Sequence, residues 1–101
     1  MSKKTIAIFA FSLLLFGCAG APTKEQVSQA LKRKIPVKFE VVEIKRLAEI
    51  PCLFEVVLMA DKQPIVLYMD KNAKFAISGT LMSLANNVNL TAETQKRFME
   101  K

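Results

Sequence analysis

Three apolar, β-prone runs lie close together in the middle of the chain, at residues 52–60, 65–69 and 74–78. The connections between them, residues 61–64 and 70–73, contain Asp, Asn and Pro, which favour turns. Parallel strands need a long crossover connection, whereas antiparallel strands can be joined by a tight turn. The three runs are therefore predicted to form an antiparallel meander.

A helix is predicted before this meander. Thr23 and Gln26 have the spacing of a capping box, in which each side chain bonds the backbone N–H of the other residue. Apolar residues follow at helical spacing, and Pro36 disfavours helix at the residue before it. These signals predict a helix over about 24–34.

The segment between this helix and the meander predicts another strand. Residues 37–41 alternate between apolar and polar, and the phase then shifts at Val42 and Ile44. Such a shift indicates a bulge or a bend in the strand.

After the meander, we predict a short strand at 80–84, a loop at 86–89 and a last helix with Thr91 as its N-cap, extending to Lys101. The fold class is then α+β: one N-terminal helix packed on a curved antiparallel sheet, followed by a C-terminal helix, in a domain at 23–101. One helix covers only one sheet face, so the other face, or an edge, is predicted to remain for a partner.

Residues 1–17 predict an export signal. They begin with Lys3 and Lys4, continue with an apolar run at 6–16 and end in a small residue. The run is short for a transmembrane helix, which needs about 20 residues. The sequence Leu15-Phe16-Gly17-Cys18 resembles the bacterial lipobox, in which the chain is cut before the cysteine and the thiol receives a diacylglycerol.

This resemblance implies that Cys18 is the lipid-attachment residue of a palmitate-bearing lipoprotein and that residues 18–22 form a short tether. Several acyl chains anchor a protein firmly, whereas one chain holds it only marginally. The location implied is the periplasmic face of the bacterial cell envelope, at the outer membrane if the host is Gram-negative. An ordinary signal followed by a chance cysteine is the alternative.

Residues suited to catalysis or metal binding are scarce. The chain has no histidine, which removes the commonest general base and metal ligand. With Cys18 lipidated, Cys52 is the one remaining thiol, so neither a zinc cluster nor a dithiol redox site is expected. We therefore predict no enzyme activity, no cofactor and no metal. The carboxylates interpreted as solvent-facing are Glu40, Glu43, Glu49 and Glu55.

The chain is basic, with a formal net charge of +6. A basic balance can indicate nucleic acid binding, but export makes that partner unexpected. The densest basic run, Lys32-Arg33-Lys34, is interpreted as a solvated helix end that lies near anionic headgroups. Core or interface packing is assigned to the aromatic residues Phe54, Tyr68 and Phe75.

Four segments, strongest between residues 50 and 91, carry a family resemblance through their order and spacing. The matching residues are Pro51, Leu53, Phe54, Glu55 and Val56, then Leu67, Tyr68, Asp70 and Lys71, then Ile77, Gly79 and Leu81, and finally Asn89-Leu90-Thr91. In these residues the chain resembles the N-terminal domain of the DsbC/DsbG disulfide isomerases. The resemblance implies a cystatin-like fold, a periplasmic location and a V-shaped homodimer made through this domain.

Three departures from the family shape the functional expectation. The family's catalytic thioredoxin domain normally follows the linker helix, whereas this sequence stops inside that helix. Cys52 stands where the family usually has Gly, and the isomerases usually lack a lipobox. The expectation is a membrane-tethered, non-catalytic dimerisation or binding module, whose partner is a second copy or a full-length disulfide isomerase.

The resemblance also places the strand that begins at Cys52 at or near the two-fold contact. An apolar strand should not remain a bare edge, and a cysteine near a two-fold axis faces its own copy. Cys52 is therefore a candidate intermolecular disulfide, with a buried thiol and a mixed disulfide with another protein as alternatives. The candidate dimer strand comprises Cys52, Leu53, Phe54, Glu55, Val56, Val57 and Leu58.

Other functions stay open at this point. One is a cell-envelope lipoprotein with an unrelated binding role, and another is a single-thiol redox accessory protein acting through Cys52. A cystatin-like peptidase inhibitor is disfavoured, because residues 63–67 are the nearest match to Gln-x-Val-x-Gly and lack its glycine.

Overall fold

The computed structural model describes residues 20–99. The predicted export signal, the lipobox and Cys18 lie outside these residues, so the assignments made for them stay predictions. Within the described part, no helix is both long and apolar enough to cross a bilayer.

The described chain is α+β, as predicted. Strands β1 to β4 form one antiparallel sheet in the order β1-β2-β3-β4, which confirms the meander, while β5 and β6 pair separately as a small hairpin. The helices are α1 (Lys24–Leu31) and α2 (Leu90–Met99). The strands are β1 (Glu40–Arg46), β2 (Leu53–Ala60), β3 (Gln63–Asp70), β4 (Ala76–Ser78), β5 (Met82–Ser83) and β6 (Val88–Asn89).

Helix α1 begins with the predicted capping box. The Gln26 N–H donates to the Thr23 hydroxyl at 3.1 Å, and the Thr23 N–H donates to the Gln26 side-chain oxygen at 2.9 Å. The helix ends at Leu31 rather than near residue 34, with Lys32 as its C-cap and a turn over residues 32–34. The Ile35 N–H still donates to the Leu31 carbonyl. Pro36 disfavours helical backbone angles at Ile35, so the chain leaves the turn there.

The connection between β2 and β3 is tighter than expected. It contains two residues, Asp61 and Lys62, with positive φ values of 52° and 65°. That pair of angles is typical of a type I′ turn, whose twist matches the twist of a hairpin. Gln63 and Pro64, which were predicted to lie in a four-residue turn, instead begin β3 opposite Ala60 and Met59.

Asp70 organises the turn between β3 and β4, as its sequence predicted. Its carboxylate accepts the backbone N–H groups of Asn72, Lys74 and Phe75 at 3.2, 2.8 and 2.8 Å. These bonds, the one from Phe75 first, hold the pKa of Asp70 below its usual value.

Helix α1 covers one face of the sheet. Val27 and Leu31 of the helix pack against side chains of β2 and β3 that point to this face. The sheet residues of this core are Val41, Val56, Leu58, Leu67 and Met69, with Ala73 beside them.

The opposite face is covered as well, so of the two surfaces predicted to remain for a partner, the other face or an edge, the face is excluded. A second core of Leu47, Val57, Val66 and Tyr68 lies there, and Phe98 of α2 packs on it. The prediction that one helix covers the sheet is wrong, because α2 folds back onto the sheet instead of extending away from it.

Strand β1 contains the predicted bulge, between Val41 and Glu43. The extra residue, Val42, changes which face the following side chains occupy. After it, Ile44 packs with the α1 core, and Glu43 lies on the α2 side, opposite Val57.

Strand β2 is an interior strand, paired with β1 on one side and β3 on the other. We expected the candidate dimer strand, Cys52 to Leu58, to be an edge strand that only a partner could cover. That expectation is wrong. The edges of the sheet are β1 and β4.

The predicted strand at 80–84 is present but shorter, as β5, and it pairs with β6, which lies in the segment predicted to be a loop at 86–89. Asn89, rather than Thr91, caps α2, because its side-chain oxygen accepts the Ala92 N–H at 2.8 Å. Of the three aromatic residues assigned to packing, Phe54 and Tyr68 are buried, whereas Phe75 is 76% exposed.

Candidate functional site: a buried carboxylate beneath the C-terminal helix

Glu55 lies in the middle of β2, on the face covered by α2. It is 2% exposed, so its interpretation as a solvent-facing carboxylate is wrong. Its neighbours across the sheet are Lys45 on β1 and Tyr68 on β3. Burying a carboxylate costs free energy unless hydrogen bonds compensate.

Hydroxyl groups provide that compensation. The Thr94 hydroxyl donates to both carboxylate oxygens of Glu55, at 3.0 Å each, and the Tyr68 hydroxyl donates to Oε2 at 3.4 Å. Tyr68 is also in close hydrogen-bond contact with the Thr91 hydroxyl, whose oxygen accepts the Leu81 N–H at 2.8 Å. We call these groups the Glu55 network.

The chemistry of its two ends fixes the direction of the network. The Leu81 N–H can only donate, and an ionised carboxylate can only accept. The Thr91 hydroxyl therefore donates to Tyr68, and Tyr68 donates to Glu55. Every donor points toward the carboxylate, an arrangement suited to its charged form, and no buried side-chain polar atom in residues 20–99 lacks a partner.

Tyr68 titrates abnormally in this setting. Burial raises the pKa of its hydroxyl above the usual 10.0, and the hydrogen bond with Thr91 offsets part of that shift. The nearby charge of Glu55 raises the pKa further, because a second negative charge would be unfavourable beside a carboxylate.

A cleft of about 580 Å³ opens beside the network, between β1, the loop after it and α2. Glu43 and Arg97 lie next to it and form a salt bridge at 3.1 Å. The hydrogen bonds that Arg97 donates to Glu43 raise the pKa of Arg97. The charged lining residues are four cations and three carboxylates: Lys45, Arg46, Lys96, Arg97, Glu49, Glu55 and Glu93.

The Glu55 network holds α2 on the sheet. Its carboxylate is already used by two hydroxyl donors, Thr94 and Tyr68. No cluster of side chains that could hold a metal ion occurs among residues 20–99. The network links β2, β3, the segment before β5 and α2 through one carboxylate.

A second surface lies at the opposite edge of the sheet. Strand β4 has no strand beyond it, and the exposed fractions of Phe75 and Ile77 are 76% and 58%. We call residues 75–79 the β4 edge. Beyond the bonds of Phe75 with Asp70 and the pairing with β3, its backbone has no partner strand among the described residues, and none of its side chains is charged.

Cys52 lies at the start of β2, in the turn that follows Pro51. Its φ is 66°, in the left-handed region that glycine adopts most easily. This explains why a glycine suits the position. Cys52 is disulfide-bonded, and the intermolecular disulfide suggested for it stays a prediction.

Sequence reasoning missed the Glu55 network, although a signal was present. Leu53, Glu55 and Val57 share one face of β2, so the glutamate sits between two apolar neighbours on a strand buried on both faces. Thr91 and Thr94, three residues apart, share one face of a helix. Two threonine hydroxyls on one helix face are a signal that the helix covers a buried acceptor such as the Glu55 carboxylate.

One family model matches the chain, described as the disulfide bond isomerase protein N-terminal domain, over residues 18–92. No curated protein and no solved structure gives a significant match. The matched region includes α1, the four-stranded sheet with Glu55 and Tyr68, and the β4 edge, and it ends before Thr94. With this match over most of its length, and with the α+β meander that the structure describes, the chain belongs to the family of disulfide bond isomerase N-terminal domains.

Proposed function

We propose that this protein is a membrane-tethered, non-catalytic dimerisation module of the cell envelope. Family membership supports the dimerisation role. The proposal assigns the contact to the β4 edge instead of the strand from Cys52 to Leu58, whose backbone is already paired on both sides.

The exposed β4 edge is the observation that carries the proposal. An edge strand with unpaired N–H and C=O groups accepts another strand, and proteins usually protect such edges with charges. The other edge, β1, has charged side chains at Glu40, Lys45 and Arg46, whereas β4 exposes Ile77 with Phe75 beside it. Exposed apolar groups at an open edge favour a partner strand.

Two copies can pair through this edge about a two-fold axis. Antiparallel pairing centred on Ile77 would place Phe75 of one copy opposite Gly79 of the other. Gly79 has no side chain, and the space where a Cβ would lie is open. The ring of Phe75 could therefore cover that position. A full-length disulfide isomerase offering the same edge would form a heterodimer in the same way.

The tether and the lack of catalysis rest on the sequence. The lipobox-like site at Cys18 supports lipid attachment, and the short segment that follows would keep the domain close to the membrane. Disulfide isomerisation needs an attacking thiolate and usually a second thiol to resolve the mixed disulfide. We expect this chain to refold scrambled ribonuclease no faster than a simple thiol does, and a clearly faster rate would contradict the non-catalytic assignment.

The dimer is tested with Ile77→Lys, which puts a charge on the β4 edge. Light scattering under reducing conditions should give a dimer for the wild type and a monomer for this variant. The matched control is Leu84→Lys, at a residue that is 89% exposed on the β5–β6 turn, and it should remain dimeric. A monomeric wild type at tens of micromolar would remove the homodimer, and a dimeric Ile77→Lys would remove the β4 edge.

A further inference from the structure

The turn after α1 combines positive charge with an exposed apolar tip. Residues 32–38 contain Lys32, Arg33, Lys34 and Lys38 and no acidic residue. All four are exposed. None of their side chains forms a hydrogen bond or a salt bridge with another described residue. Four unpaired cations in seven residues repel one another, so this turn favours a negatively charged partner.

The helix end accounts for only part of this charge. A cation near the C-terminus of a helix is stabilised by the helix dipole, but the effect fades within the last turn. Lys32 and its neighbours are close enough to benefit. Lys38 lies beyond Pro36, outside that range, and needs another explanation.

Apolar surface lies between these cations. Val37 is 46% exposed, next to the exposed Pro36. A shallow cleft of about 310 Å³ has Lys32 and Lys38 in its lining together with Ile35, Val37 and Phe39. Cations around an exposed apolar tip are typical of segments that lie in a membrane interface, with charges at the headgroups and apolar groups below them.

We propose that residues 32–38 form a docking surface for anionic phospholipid bilayers. The four cations lie at the phosphate level, and Val37 enters the boundary between headgroups and acyl chains. Charge complementarity favours an anionic partner. A lipid surface suits it better than an acidic protein, because the exposed apolar group between the cations is the single side chain of Val37. This inference does not depend on dimerisation or on lipid attachment at Cys18.

The absence of tryptophan from the chain allows a direct test. Val37→Trp places a single fluorescent reporter at the tip, and because Val37 is on the surface the change leaves the core intact. The full chain is reconstituted into vesicles of phosphatidylcholine alone or mixed with phosphatidylglycerol. The protein is the same in both kinds of vesicle, so a difference in emission reports the effect of headgroup charge.

The expected result is a blue shift, with quenching by brominated lipids, in the phosphatidylglycerol vesicles and not in pure phosphatidylcholine. High salt should reverse the shift, because the Debye screening length falls to about 3 Å at 1 M ionic strength. In the same reporter background, the triple change Lys32→Gln, Arg33→Gln and Lys34→Gln should abolish it. The matched triple Lys62→Gln, Lys74→Gln and Lys96→Gln should leave it intact.

The control reporter is Leu84→Trp, which should show no dependence on headgroup charge. Identical emission of Val37→Trp in both kinds of vesicle would overturn the proposal, as would an equal shift at Leu84→Trp. Reversal by inorganic phosphate at matched ionic strength would also overturn it, because the cleft would then bind a free anion rather than a bilayer. The oligomeric state measured for Ile77→Lys is a separate readout, so failure of one proposal leaves the other to be judged on its own.

Discussion

The Thr94 hydroxyl lies 3.0 Å from both carboxylate oxygens of Glu55. This contact spans 39 residues of sequence and joins the last helix to the centre of the sheet. Because the carboxylate is buried, removing either partner leaves the other without full compensation.

We predict that this contact stabilises the fold. Thr94→Val keeps the shape of the side chain, removes the donor and should cost about 1–3 kcal/mol of unfolding free energy. Glu55→Gln should cost a similar amount, and the double variant should cost less than the sum of the two, because the variants share one interaction. Chemical denaturation measures all three.

The matched control for this cycle is Glu93→Gln, which removes an exposed carboxylate from the same cleft. It should change the unfolding free energy by less than about 0.5 kcal/mol. Additive losses for Thr94→Val and Glu55→Gln would show that the two side chains are not coupled.

Tyr68 is the only tyrosine in the chain, so its titration can be followed without ambiguity. Since its pKa in the folded state is raised above 10.0, the folded protein holds the phenol proton more tightly than the unfolded chain does. The stability that this contributes is fully present below pH 10.0 and is lost as the pH rises through the folded-state pKa. Near-ultraviolet absorbance of tyrosinate should therefore appear at higher pH in native than in denatured protein, and coincident titrations would contradict this.

The type I′ turn gives a prediction in the stabilising direction. Lys62 has a φ of 65°, in a region that costs non-glycine residues roughly 1–2 kcal/mol. Lys62→Gly removes that cost and produces the Asp-Gly pair that such turns favour. The variant should raise the midpoint of thermal unfolding. The matched control is Lys71→Gly, in the next turn, where φ is not positive, and an equal rise there would contradict the explanation.

Lipid attachment at Cys18 is tested by metabolic labelling. Labelled palmitate should enter the wild type and Cys52→Ser but not Cys18→Ser. Equal labelling of wild type and Cys18→Ser would end the lipoprotein assignment.

The disulfide of Cys52 gives a linked prediction, since the chain has only two cysteines. If lipid occupies the Cys18 sulfur, the bond made by Cys52 must join two chains. Lipidated protein should then migrate as a covalent dimer without reductant and as a monomer with it. A non-reduced monomer in the lipidated protein would contradict the covalent dimer.

Local signals in the sequence predicted much of this fold and little of its buried chemistry. The Thr23 capping box, the bulge beside Val41 and the turn at Asp70 depend on neighbouring residues, and each was found as expected. The placement of Glu55 depends on Thr94 and Tyr68, which approach it only after α2 packs on the sheet. Its apolar neighbours Leu53 and Val57 point to a buried face, but they do not identify the hydroxyl groups that compensate the buried carboxylate.

The bulge at Val42 has a consequence for assembly. A strand with a bulge cannot continue a regular ladder into a neighbouring molecule. Strand β1 is one of the two edges of the sheet, so a copy added at β4 meets no equally receptive edge on the far side. A sheet open at both edges could grow into a filament, whereas pairing about a two-fold axis through one edge stops at two chains. In the proposed dimer, the bulge and the charged side chains of β1 would close the outer edges to further copies.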